Sequence, residues 1–118
     1  MTFAIYSGLG YNANSRRKEQ KIGSMSLTFE WDESKARENL RKHQVRFEEA
    51  KTIFADPFSV TIPDPDHSLD ESRFVDIGYS AAGRILVVVY TERGENIRII
   101  SSRQATRAER KVYEEYDV

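Results

Sequence analysis

Six consecutive apolar residues, Ile85-Leu86-Val87-Val88-Val89-Tyr90, constrain the fold of this chain more than any other segment. A strand with one face in water alternates apolar and polar residues, whereas a strand without alternation is covered on both faces. The run is too short for a membrane helix, which takes ~18–20 apolar residues. No other apolar run in the 118 residues approaches that length. The starting point is therefore a central strand between two covering layers.

The flanking segments supply the layers. Leu27-Thr28-Phe29-Glu30-Trp31 alternates and reads as a short strand or an extended lead-in. Asp32 is a helix cap, with Glu33 favourably placed in the electropositive first turn. Ala36, Leu40 and His43 then recur on one helical face, which places His43 on the apolar side at the helix end. After a break near residues 44–46, Phe47, Ala50, Ile53 and Phe54 keep helical spacing until Asp56-Pro57 ends the second helix. The pattern next changes to period two. Strands are expected at 58–62, 73–79, 85–90 and 96–101, separated by Pro63-Asp64-Pro65-Asp66, Ser80-Ala81-Ala82-Gly83 and Arg93-Gly94-Glu95. Thr106-Arg107-Ala108-Glu109 is a capping box, and it opens a helix with Ala108, Val112 and Tyr116 on its apolar face. The order is helix, helix, about four mostly antiparallel strands, helix, which is an α+β fold.

The charge is unevenly spread. Arg16, Arg17, Lys18 and Lys21 against Glu19 give the first 24 residues +3, while the remainder holds 14 basic and 18 acidic residues, or −4. That first segment also carries Gly8, Gly10, Gly23, Asn12 and Asn14, the chemistry of loops. Residues 1–25 read as a flexible basic extension and 26–118 as the folded domain. The extension lacks the apolar core of a secretion signal. The absence of cysteine removes disulfides and thiolate metal sites and fits a reducing cytoplasm. A net charge of −1 argues against a uniformly basic nucleic-acid coat, but not against a local basic patch.

Three clusters carry chemistry. Arg98, Arg103, Arg107, Arg110 and Lys111 gather near the last strand and closing helix, and Arg73 begins a strand that can come close. Alternation sets Arg98 opposite Ile97 and Ile99. Guanidinium groups bind phosphate through paired hydrogen bonds; equally, helix arginines form ion pairs with Glu109, Glu114 and Glu115. Asp64, Asp66, His67, Asp70 and Glu71 form an acidic group whose spacing matches no closed metal motif. Glu71 stands two residues before Arg73, on the same strand face, as a positioned base or a salt-bridge partner. His43 is either a proton shuttle near neutral pH or a helix C-terminal residue that meets the dipole and fills the helix–helix corner.

Taken together and in order, Phe29-Glu30-Trp31-Asp32, Lys42-His43, Phe47-Glu48-Glu49-Ala50, Asp56-Pro57, Pro63-Asp64-Pro65-Asp66-His67-Ser68, Arg73-Phe74, Tyr90-Thr91-Glu92-Arg93, Arg98-Ile99-Ile100-Ser101 and Glu109-Arg110 resemble the BrnT toxin family. The resemblance runs from Phe29 to Glu115. Ser102 stands where the family commonly has alanine, and Gln104 where it often has a basic residue. The resemblance implies a RelE-like ribonuclease fold, with two helices leading into a curved antiparallel sheet. It implies a type II toxin that cuts RNA and blocks translation. The implied partner is a BrnA-like ribbon-helix-helix antitoxin, through which alone operator DNA is touched.

For the site, the resemblance implies Glu71 or His43 as general base, with His43 and Lys35 as candidate acids. Arg73, Arg98 and Arg103 supply transition-state charge, and Lys35, Arg107 and Arg110 contact RNA. With a ribose 2′-hydroxyl as nucleophile, no metal or other cofactor is required, and RNA is chosen over DNA. Two other functions fit the same residues: a non-catalytic RNA- or protein-binding module, and a metal nuclease built on Asp64, Asp66 and His67.

Overall fold

The computed structural model of the chain describes residues 27–63 and 73–115. In chain order these form β1 (Thr28–Glu30), α1 (Glu33–His43), α2 (Phe47–Ala50) continued by a 3-10 turn (Lys51–Ala55), β2 (Val60–Pro63), β3 (Arg73–Tyr79), β4 (Ile85–Arg93), β5 (Asn96–Gln104) and α3 (Arg107–Glu115). The extension at 1–25 and the acidic group Asp64, Asp66, His67, Asp70 and Glu71 lie outside the described residues.

Side chains explain where the helices begin and end. Asp32 Oδ1 accepts from the backbone N–H of Ser34 at 2.8 Å and of Lys35 at 3.1 Å, satisfying donors that the first turn of α1 leaves free. Gln44 adopts φ 57, and its N–H donates to Leu40 O at 2.9 Å, closing the helix. This left-handed residue swings Val45 into the corner between the helices, where Val45 is fully buried. His43 is consequently exposed, contrary to the expectation that it fills that corner. Asn39 is the polar residue buried under α1. Its Nδ2 donates to Val45 O and Ser102 O at 3.0 and 2.8 Å, and its Oδ1 accepts from Ser102 N at 3.0 Å, fastening α1 to β5.

Among the described residues the strands form one sheet in the order β1-β5-β4-β3-β2. The α+β class is as expected, and so is a mostly antiparallel sheet, the exception being β1, which runs parallel to β5. Two corrections apply. The sheet has five strands rather than four, because the alternating lead-in is a strand. It is not strongly curled. The parallel pairing joins residues 68 positions apart, Glu30 and Arg98, which no local pattern announces.

The central run divides as its composition requires. Leu86, Val88 and Tyr90 face the helix pair and pack with Phe47, Ile53, Phe54, Ile97 and Ile99. Val87 faces the other way, with Val60, Ile77 and Tyr113 of α3. Burying a side chain of this kind contributes roughly 1.5–3 kcal/mol. The coverage is unequal, however. α3 covers only one end of its face, and Val89 is left half-buried. In α3 the capping box forms as read: Thr106 N donates to Glu109 Oε1 at 2.9 Å, and Glu109 N donates to Thr106 Oγ1 at 3.2 Å. The apolar face differs from the expectation. Ala108 is exposed and Tyr113 is buried, because Glu109 turns towards the sheet and positions 112 and 113 follow it. Tyr116 lies outside the described residues.

Candidate active site

The arginines of β3 and β5 fall on the sheet face opposite the helix pair. Register alignment sets Arg73 beside Thr91 and Thr91 beside Arg98, while Arg98 pairs with Glu30 of β1. These four residues form one row across β3, β4, β5 and β1. Adjacent strands are ~4.8 Å apart, so the backbones of Arg73 and Arg98 are about 10 Å apart, within joint reach of one anion for two long side chains.

Arg103 joins the same face only through an irregularity. Regular alternation would put residues 98 and 103 on opposite faces. The register shifts between Val89 and Tyr90, so that Tyr90 pairs with Ile99 while Val89 pairs with Ser101, leaving Ile100 as an extra residue. This bulge changes the parity of β5, and Arg103, paired with Val87, returns to the face of Arg98. Sequence reading grouped the two by proximity along the chain; the bulge is the physical reason the grouping holds.

The arginines differ in what holds them. Arg98 Nη1 donates to Glu30 Oε2 at 3.0 Å, and Asn96 Nδ2 donates to Glu30 Oε1 at 3.0 Å. Hydrogen bonds from Asn96 first, then Arg98, keep the Glu30 carboxyl below its ordinary range. Arg103 makes a two-pronged pair with Glu109, Nη1 to Oε1 and Nη2 to Oε2, both at 2.8 Å. The pair brings the Glu109 carboxyl down to about 2, the Arg103 hydrogen bonds being the largest cause. Arg73 is half-buried, and among the described residues no side chain pairs with it.

The other expected site residues are not brought to this row. Lys35 and His43 are exposed on α1, in the layer that covers the opposite sheet face. Arg107 and Arg110 are exposed on α3, beside the Arg103 end. Glu71 lies outside the described residues. Glu30, Asn96 and Thr91 were missed by sequence reading. A signal for Glu30 was present, since alternation with Phe29 and Trp31 sets it on the polar face of its strand. Nothing local marks its arginine partner. A cleft of about 650 Å³ lined by Leu27, Phe29, Thr52, Ala55 and Tyr79, among others, shares no residue with the arginine row.

A mixed sheet with the α1–α2 helix pair on one face and a row of arginines on the other is a scaffold suited to a phosphate-bearing ligand. The family profile described as ribonuclease toxin, BrnT, of type II toxin-antitoxin system matches residues 31–109, and the chain belongs to that family. The 1.1 Å crystal structure of the Brucella abortus ribonuclease toxin BrnT has a similar fold, with a TM-score of 0.56 and 24% identity, covering 70% of this chain and 100% of that one. The fold is RelE-like, as the resemblance implied. Among curated proteins none matches. Membership supports a ribonuclease-like toxin role, and it implies an RNA substrate and an antitoxin partner. Among the described residues no helix is long and apolar enough to cross a membrane.

Proposed function

We propose that the chain is the toxin of a type II toxin–antitoxin system, a cytoplasmic endoribonuclease that cleaves RNA without a metal and thereby inhibits translation. A ribbon-helix-helix antitoxin neutralises it and carries the contact with operator DNA. The observation that carries the proposal is the arginine row on the face opposite the helix pair, with Arg98 held in place by Glu30.

The chemistry follows from the substrate. A base removes the proton of a ribose 2′-hydroxyl, whose oxygen attacks the adjacent phosphorus. The bond to the 5′-oxygen breaks, and an acid protonates that leaving oxygen. The products carry a 2′,3′-cyclic phosphate and a 5′-hydroxyl. Charge builds on the non-bridging oxygens in the transition state, where fixed cations act most strongly. Arg73 and Arg98 fill that role, with Arg103 alongside and Arg107, Arg110 and Lys35 contacting flanking RNA. The base is Glu71 or His43, and the acid is His43 or Lys35. Of these, the two on α1 require the RNA to reach around to the helix layer.

Cleavage of an oligoribonucleotide by the full-length protein in EDTA tests the proposal. Cutting that persists and leaves cyclic phosphate ends supports it. Absence of cutting by folded protein favours the non-catalytic binding module. Loss of cutting on chelation favours a metal nuclease using Asp64, Asp66 and His67.

A further inference from the structure

Thr91 occupies the middle of the arginine row, between Arg73 on β3 and Arg98 on β5. Thr91 is 1% exposed, and among the described residues its hydroxyl has no hydrogen-bond partner. A buried hydroxyl without a partner carries the full cost of its lost hydration, so it is rare unless something else completes it.

The neighbours show what is missing. Arginine side chains only donate, so neither flanking guanidinium takes the threonine proton. The carboxylate in the row belongs to Glu30, and its two oxygens already accept from Asn96 and Arg98. The row thus offers two cationic forks and one hydroxyl donor around a position that lacks an acceptor. Ser102 Oγ is also buried and, among the described residues, unpaired, but Ser102 is fastened to Asn39 on the helix-covered face, away from these cations.

We propose that the Thr91 hydroxyl is the third donor of the site that receives the RNA phosphate, bonding a non-bridging oxygen held between Arg73 and Arg98. This rests on the proposal above that the row takes the scissile phosphate. The phosphate reaches the hydroxyl as the long Arg73 side chain swings aside, while Arg98 stays on Glu30. Thr91 then fixes the phosphorus against the sheet surface, where the two guanidinium groups alone would leave it free to rotate. Its bond strengthens as charge develops on the phosphate oxygen, so its contribution falls on the chemical step.

Thr91→Val and Thr91→Ser test this, because valine keeps the shape and removes the hydroxyl while serine restores it. Thr91→Val is expected to melt at or above the temperature of the parent, since it removes an unsatisfied group, yet to cleave about 10²–10³-fold more slowly. Thr91→Ser is expected to recover to within about tenfold of the parent, whereas a purely packing role would make serine the poorer variant. Inorganic phosphate should raise the melting temperature of the parent and of Thr91→Ser more than that of Thr91→Val. If Thr91→Val does not fold, Thr91→Ala carries the same expectations for cleavage and phosphate. Equal cleavage by parent and Thr91→Val, or equal stabilisation of both by phosphate, overturns the proposal. If the parent cuts no RNA, the ribonuclease reading fails, and the phosphate titration still decides the role of Thr91.

Discussion

Glu30 and Arg98 meet at 3.0 Å across the parallel pair β1–β5, joining the strand before the helices to the strand after the hairpin. Asn96 holds the other oxygen of the same carboxylate. Arg98 is therefore fixed by a partner that is itself fixed, and its remaining donors are aimed rather than free.

Removing the partner should disturb that aim. Glu30→Ala is expected to lower the RNA cleavage rate while shifting the melting temperature little, because the pair is partly exposed. In a background that already carries Arg98→Ala, Glu30→Ala should have no further effect on cleavage, since it acts through that arginine. An undiminished effect in the double variant would mean that Glu30 acts on RNA directly.

Glu109 makes stability depend on acid. Its carboxyl lies at about 2 in the folded protein against an ordinary 4.5, so the folded state favours the ionised form. The stabilisation is fully present above 4.5 and is lost as pH falls from there towards 2. Melting curves of the parent and Glu109→Gln should be well separated at pH 7 and converge across that window. A constant separation down to pH 2 would place the acid sensitivity elsewhere.

Asn39 supplies both halves of a bond pair to Ser102 and a further donor to Val45 O. Asn39→Leu strands buried backbone groups on β5 and in the helix–helix corner. The expected loss is about 2–4 kcal/mol, with buried unsatisfied groups costing ~1–3 kcal/mol each. Urea denaturation measures it, and a loss below ~1 kcal/mol would show that the backbone finds other partners.

Residues 1–25 are set apart from the rest by their charge and loop-rich composition. Deleting them is expected to leave both the melting temperature and the RNA cleavage rate near those of the full chain. A drop in melting temperature would make the segment part of the fold, and a drop in cleavage alone would make it an RNA-contacting arm.

Most of the elements were legible because local physics decides them. Asp32 and the Thr106–Glu109 box announce helix starts, and the unbroken run at 85–90 announces a covered strand. What was not legible depends on residues far apart. The strand at Thr28–Glu30 is three residues long and exists by pairing with β5. The exposure of His43 follows from the left-handed Gln44, which ends the helix just as the apolar stripe would have continued. Tyr113 was passed over because its hydroxyl finds Asp56, at 2.7 Å and 57 residues away. In the site, Arg98 was placed correctly by alternation, while Arg103 shares its face through a bulge that parity alone forbids. Asn96, Thr91 and the pairing of Glu30 with Arg98 became visible only once the strand order was known.

The central claim is that Arg98, on the face opposite the α1–α2 helix pair, stabilises the phosphate of an RNA being cut. The most direct measurement compares single-turnover cleavage of one oligoribonucleotide by the parent and by Arg98→Ala, with melting curves taken on the same samples. The expected result is a rate lower by about 10²–10³-fold, typical of losing one transition-state donor, with a nearly unchanged melting temperature. An Arg98→Ala variant that cuts as fast as the parent, or that loses activity only because it unfolds, would contradict the account.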